Sequence, residues 1–183
     1  QGFSSAKANN TSSLAALGEY VVVNAPGENP RVFKAEDGSF VKEFELNGAP
    51  NDLITADDAG HIILCNYNKD TSKDFTIWRA KDIDSTPELF ATYTGGNPIG
   101  MKISVTGDVY NDAVIMIPYS QWASGGNRVY WIWEVKNGAA VGEKPVWKRM
   151  NTDIISYQQN IDMVAAYPST TSDFFFIGYS GST

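Results

Sequence analysis

The chain runs to 183 residues yet carries one cysteine, Cys65, and one histidine, His61. A lone thiol excludes an internal disulfide, and inside the apolar run HIILCN it reads as a small buried hydrophobe rather than a reactive group. A single histidine leaves little room for imidazole chemistry. As a general base His61 would need an oriented partner and a nucleophile; Asp57 and Asp58 stand just before it across a turn, but no G-x-S-x-G motif supplies a serine. It therefore reads as the residue that opens a strand. A zinc pair of His61 and Cys65 fails on reach, because four positions along an extended strand separate the two by about 13 Å.

Long apolar runs are missing too. Nothing approaches the roughly 18 consecutive apolar residues of a spanning helix. The opening QGFSSAKANN lacks the charged start and apolar stretch of a signal peptide. The expectation is no direct membrane insertion of this segment, with any export signal lying outside it. Basic charge is in short supply as well: Lys and Arg number 14 against 21 Asp and Glu, a net charge of -7. That field repels phosphate backbones, so nucleic acid is not an expected partner.

The surplus acids do not assemble into a recognisable motif. KDIDSTPE sets Asp82, Asp84 and Glu88 at alternating positions, and NKDTSKD adds Asp70 and Asp74, which is oxygen-rich chemistry of the kind calcium takes. The EF-hand glycine and its following glutamate are absent, however, and Asp and Ser are ordinary turn formers. No metal and no cofactor are expected. No two carboxylates stand in a marked setting for glycoside hydrolysis, so no catalytic residue is nominated.

What the sequence does hold is repetition. Aligning Phe33, Trp78 and Trp133, spaced 45 and then 55 positions apart, brings their neighbours into line. Val32, Ile77 or Ile132 precedes the ring; Lys34, Arg79 or Glu134 follows it, and then Ala35, Ala80 or Val135. Upstream stand the apolar runs YVVVN, HIILCN and AVIMIPY, with a fourth, FFFIGY, from Phe174. Each is short, rich in β-branched or aromatic residues and bounded by turns, which predicts strands covered on both faces. Weaker alternating segments come before them: DLITAD, MKISVTG and IDMVAAY. Asp37-Gly38 and Asn137-Gly138 predict the positive φ angles of tight hairpins after the aromatic strand. A last strand follows in FVKEFEL, ELFATY and PVWKRM.

The expected class is all-β, with four-stranded antiparallel sheets repeated along the chain. This pattern resembles a β-propeller, whose blades are such sheets. About three and a half blades are expected. A polar tail covers 1–13, blade 1 about 14–47, blade 2 about 51–95, blade 3 about 99–150 and a half blade about 160–183. The texture, rich in Asn, Tyr and Trp, resembles propeller-type domains of unknown function in secreted or surface lipoproteins of gut Bacteroidetes. That likeness implies an extracellular, cell-surface or periplasmic protein. Because such a ring needs at least about four blades, the remaining blades are expected from the same chain or from a second copy.

In a propeller the loops between the second and third strands of each blade emerge on one face, and rigidly mounted loops are where function concentrates. Those loops carry Asn24; Asn66, Tyr67 and Asn68; Tyr119, Gln121, Trp122, Asn127 and Arg128; and Tyr179. Flat rings beside amides suit sugars, and they equally suit a protein surface. Trp122, in the polar Gly-rich stretch SQWASGGN, is expected to be offered outward, whereas Phe33, Trp78 and Trp133 are expected to pack between sheets. The functional expectation is a non-catalytic binding or scaffold module recognising a glycan or a surface protein. The alternatives are part of a propeller-fold carbohydrate-active enzyme, glycosidase or lyase, with some catalytic residues elsewhere, and a structural spacer.

Overall fold

The computed structural model describes residues 13–67, 73–94, 102–118, 129–143, 145–149 and 164–178. Within them every regular element is a strand. The first sheet holds β1 (Ser13–Leu17), β2 (Tyr20–Asn24), β3 (Arg31–Lys34) and β4 (Phe40–Glu43), side by side in chain order. The second repeats that order with β5 (Leu53–Ala56), β6 (Ile62–Cys65), β7 (Phe75–Ala80) and β8 (Glu88–Tyr93). In the third, β9 (Ser104–Gly107), β10 (Ala113–Pro118) and β11 (Val129–Lys136) lie in order, and the outer position is shared by β12 (Ala139–Ala140) and β13 (Val146–Arg149), both paired with β11. A final pair joins β14 (Val164–Ala166) to β15 (Phe176–Gly178). Among the described residues no sheet closes on itself.

The recurring aromatic marks one structural position. Phe33 pairs with Val21, Trp78 with Leu64 and Trp133 with Ile115, each on the third strand of its sheet opposite the second. The turn between first and second strands repeats as well. The Gly60 amide donates to the Asp57 carbonyl at 3.2 Å, the Asn111 amide to Asp108 at 2.9 Å and the Ser172 amide to Ser169 at 3.3 Å. Asp57 and Asp108 also accept, through Oδ1, the amide two residues on, which is why an aspartate opens both turns.

Two local expectations change. Asn137 and Gly138 both take positive φ, 50° and 73°, and form a two-residue hairpin between Lys136 and Ala139. Around Asp37-Gly38 only the glycine does, at 71°. There the loop is wider: the Gly38 amide reaches back to the Lys34 carbonyl and Asp37 caps the Ser39 amide, so Asp37 keeps an ordinary φ. In the last pair the strand starts at Phe176 rather than Phe174, which sits outside it with 56% of its surface exposed.

Contacts divide the chain into two units, Gln1–Asn66 with Thr76–Ala91, and Tyr67–Phe75 with Thr92–Thr183. In the first, Ala15, Val22 and Val32 meet Ile54, Ile62, Leu64 and Ala80, closed by Phe44, Ala49 and Ile83, with Trp78 half-buried against them. All four β6 residues are buried, as a strand covered on both faces requires. Each Ile or Leu buried this way contributes about 1.5–3 kcal/mol before entropy is counted. In the second unit Val114, Met116 and Ile132 pack with Tyr167 and Phe175, whose rings lie 5.4 Å apart. The alternate β10 and β11 positions, Ile115, Ile117, Trp131 and Trp133, are buried as well. Tyr93 meets Trp131 edge to face at 4.6 Å.

Candidate functional site

The loop from β2 to β3, residues 25–30, is built around an amide. Asn24 ends β2 with its side chain wholly buried, and Asn51, from the connection between β4 and β5, is 6% exposed. Asn51 Nδ2 donates to Asn24 Oδ1 at 2.8 Å, to the Ala25 carbonyl at 3.1 Å and to the Glu28 carbonyl at 2.7 Å. Its Oδ1 accepts the Gly27 amide at 3.0 Å. The φ of 80° at Gly27 is what turns that amide toward Asn51, a conformation a side chain would resist. In return Asn24 Nδ2 donates to the Asn51 carbonyl at 2.8 Å and to Ser13 Oγ at 3.3 Å, and Ser13 Oγ accepts the Ile54 amide at 2.9 Å. One network thus ties the start of β1, the end of β2, the loop and β5. At the mouth of the loop Arg31 lies 3.9 Å from both Glu28 and Glu43.

The loop from β6 to β7 has a simpler base. Asn66 Oδ1 accepts the Thr76 amide at 2.7 Å and its hydroxyl at 3.1 Å, which fixes where the two strands part. Tyr67, next along, is half-buried. Of the residues expected on the loop face, Asn24, Asn66 and Tyr67 are described; Asn68, Tyr119, Gln121, Trp122, Asn127, Arg128 and Tyr179 lie outside the described residues. Asn24 and Asn66 use their side-chain amides on the protein's own backbone, so both act on loop shape. Asn51 carries no motif in the sequence; the one signal it offers is a neutral amide two residues before an apolar strand.

Elsewhere the acids serve turns and ion pairs. His61 Nδ1 lies 2.9 Å from Asp57 Oδ2, and Asp57 Oδ1 accepts the His61 amide at 2.8 Å. The carboxylate, with no exposed side-chain surface, holds the histidine at the start of β6. Asp82 accepts the Asp84 amide and the Ser85 hydroxyl, which hold its pKa below the ordinary value. Asp84 pairs with Lys42 at 2.6 Å, Glu88 with Arg79 at 2.8 Å, and Asp74 accepts the Thr94 hydroxyl at 2.7 Å. Asp82, Asp84 and Glu88 thus each face a different partner. Cys65 is buried; the loss of solvent pushes its thiol well above the ordinary range, and the charge of Asp52 adds to the effect.

Fold and loops together define an all-β protein of repeated antiparallel sheets, with the β2–β3 loop held by the buried amides of Asn24 and Asn51 and the base of the β6–β7 loop by Asn66. The chain belongs to the family described as domain of unknown function DUF8500, which matches residues 2–183. Among curated proteins there is no match. The crystal structure of a DUF4623 family protein from Bacteroides eggerthii is similar, with a TM-score of 0.70 over 93% of this chain at 16% identity. That likeness bears on the fold alone, and the chain spans 41% of that protein's length.

Proposed function

We propose that the four sheets are consecutive blades of a β-propeller and that the loops between second and third strands form the binding face of a non-catalytic, extracytoplasmic module that recognises a glycan. The observation that carries this reading is the Asn24–Asn51 network. It spends two buried side chains on the shape of a surface loop rather than on the core. A loop held in one conformation before its ligand arrives loses less entropy on binding. The blade reading draws support from the shared strand order and the shared aromatic register. Remaining blades would come from the same chain or a second copy. Extracytoplasmic placement rests on the sequence resemblance to surface lipoprotein domains.

The rings and amides of the loop sequences, Tyr67, Tyr119, Trp122 and Asn127, supply flat apolar faces beside hydrogen-bonding edges, the pairing that a pyranose ring presents in complement. A glycan array followed by affinity gels tests this, with Trp122→Ala and Asn51→Ala as variants. Retention of a polysaccharide by the parent chain, lost in both variants without release of shortened product, is the expected result. Product release would favour a carbohydrate-active enzyme, and retention of proteins alone would replace the glycan by a surface protein. No retention of either kind would leave the spacer.

A further inference from the structure

The chain contains two Asn-Gly dipeptides, Asn47-Gly48 and Asn137-Gly138, and the fold treats them differently. We propose that Asn47 is a site of spontaneous deamidation to aspartate and isoaspartate, while Asn137 is held unreactive by its surroundings.

The reaction needs the backbone nitrogen that follows an asparagine to reach that residue's own side-chain carbonyl carbon. After the Gly48 N–H loses its proton to base, the nitrogen attacks Asn47 Cγ. A new N–Cγ bond closes a five-membered succinimide, and the Cγ–Nδ2 bond breaks, Nδ2 leaving as ammonia with a proton from solvent. Water then opens the ring at either carbonyl, so the net change is one water consumed and one ammonia released. Glycine favours the step because no side chain shields its nitrogen.

Both asparagines share a φ of 50° and both are exposed, so local conformation and solvent access do not separate them. Their glycines do. The Gly138 amide donates to the Asn111 carbonyl at 2.7 Å, and the Asn137 amide to Asp112 Oδ1 at 3.1 Å. A Cβ placed on Gly138 would stand 2.7 Å from the Tyr110 carbonyl oxygen, a measure of how tightly that backbone is packed. Turning the Gly138 nitrogen toward Asn137 Cγ therefore breaks two hydrogen bonds and drives the chain against Tyr110. At Gly48, by contrast, the amide donates no hydrogen bond among the described residues, and nothing lies within 4 Å of the Cβ position. The turn is closed by one bond, from the Ala49 amide to the Leu46 carbonyl at 2.9 Å, and the Asn47 side chain makes only a long contact, 3.4 Å, to the Glu45 carbonyl. The product would carry an added negative charge two residues from Glu45. In the isoaspartate form it would also lengthen the backbone just before the buried Ala49.

The test incubates the folded full chain at mildly alkaline pH and physiological temperature, then follows amide-to-acid conversion by peptide mass mapping and isoaspartate by enzymatic methylation. On the order of ten-fold more conversion at Asn47 than at Asn137 is expected, since reaction at Asn137 waits on local opening of its hairpin. In strong urea the two sites should convert alike. Asn47→Gly, which suits the positive φ, should abolish most of the acidic product. Equal conversion at both sites in the folded chain, faster conversion at Asn137, or an undiminished acidic product from Asn47→Gly would each overturn the assignment.

Discussion

Asn24 and Asn51 bond to each other twice: the Asn51 side chain donates to the Asn24 side chain at 2.8 Å, and the Asn24 side chain donates to the Asn51 carbonyl at 2.8 Å. Asn51→Ala removes one partner from a buried set, strands Asn24 Oδ1 and takes away the Oδ1 that accepts the Gly27 amide. A buried polar group left unpaired costs about 1–3 kcal/mol, so the urea midpoint should fall by a corresponding amount. Amide exchange at Gly27 should accelerate by more than exchange in β10. A midpoint within error of the parent, with Gly27 as slow as before, would show that the network does not hold the loop.

The repeat was legible because packing imposed it on the residues. Phe33, Trp78 and Trp133 each occupy the third strand opposite an aliphatic on the second, and the β6 run was apolar at every position because both its faces are covered. The split of the third sheet's outer position into β12 and β13 was not legible, because the two-residue β12 carries only Ala139 and Ala140 and leaves no periodicity to read. Asn51 escaped for a related reason. Its function is set by where Ala25, Gly27 and Glu28 place their backbone groups, more than twenty residues away, and backbone groups have no sequence signature. Nothing in the composition could tell Asn47 from Asn137, since the difference lies in what the following glycine meets.

Leu64 and Leu89 offer a contrast of burial at constant chemistry. Leu64 is wholly buried in the cluster that joins the first two sheets, whereas Leu89 is 53% exposed. Leu64→Ala should cost about 2–5 kcal/mol, through lost transfer energy and the cavity left behind. Leu89→Ala should fall within about 0.5 kcal/mol of the parent. Chemical denaturation of the two variants side by side is the check; a Leu89 effect as large as that at Leu64 would mean that its exposed face is covered in solution.

Acid should weaken the fold through a small group of turn carboxylates. Asp82 is held below its ordinary value of 3.8 by the Ser85 hydroxyl and by the Asp84 and Ser85 amides. Asp112 is lowered by the Asn137 amide and by Lys136, and Asp37 by Ser39. A depressed folded-state pKa stabilises the protein fully above the unfolded value and is lost as pH falls through the folded one. Stability should therefore be flat in these groups at neutral pH and decline below about 4, each exposed site adding only a modest share. Asp82→Asn should reduce the steepness of that decline in denaturation midpoints measured across the acid range. A decline of unchanged steepness in the variant would remove Asp82 from the account.

Cys65 gives a reporter of global opening. Its side chain is wholly buried at the end of β6, and both burial and the charge of Asp52 disfavour the thiolate. The thiolate is the nucleophile, so alkylation must wait until the strand leaves the sheet and the thiol regains its ordinary acidity. Labelling by iodoacetamide should then follow the population of the unfolded state, rising with urea along the same curve as a spectroscopic probe of folding. Leu64→Ala should raise the labelling rate in proportion to the stability lost, while Leu89→Ala leaves it unchanged. Rapid labelling in buffer, insensitive to Leu64→Ala, would instead mean that β6 opens locally without unfolding of the whole unit.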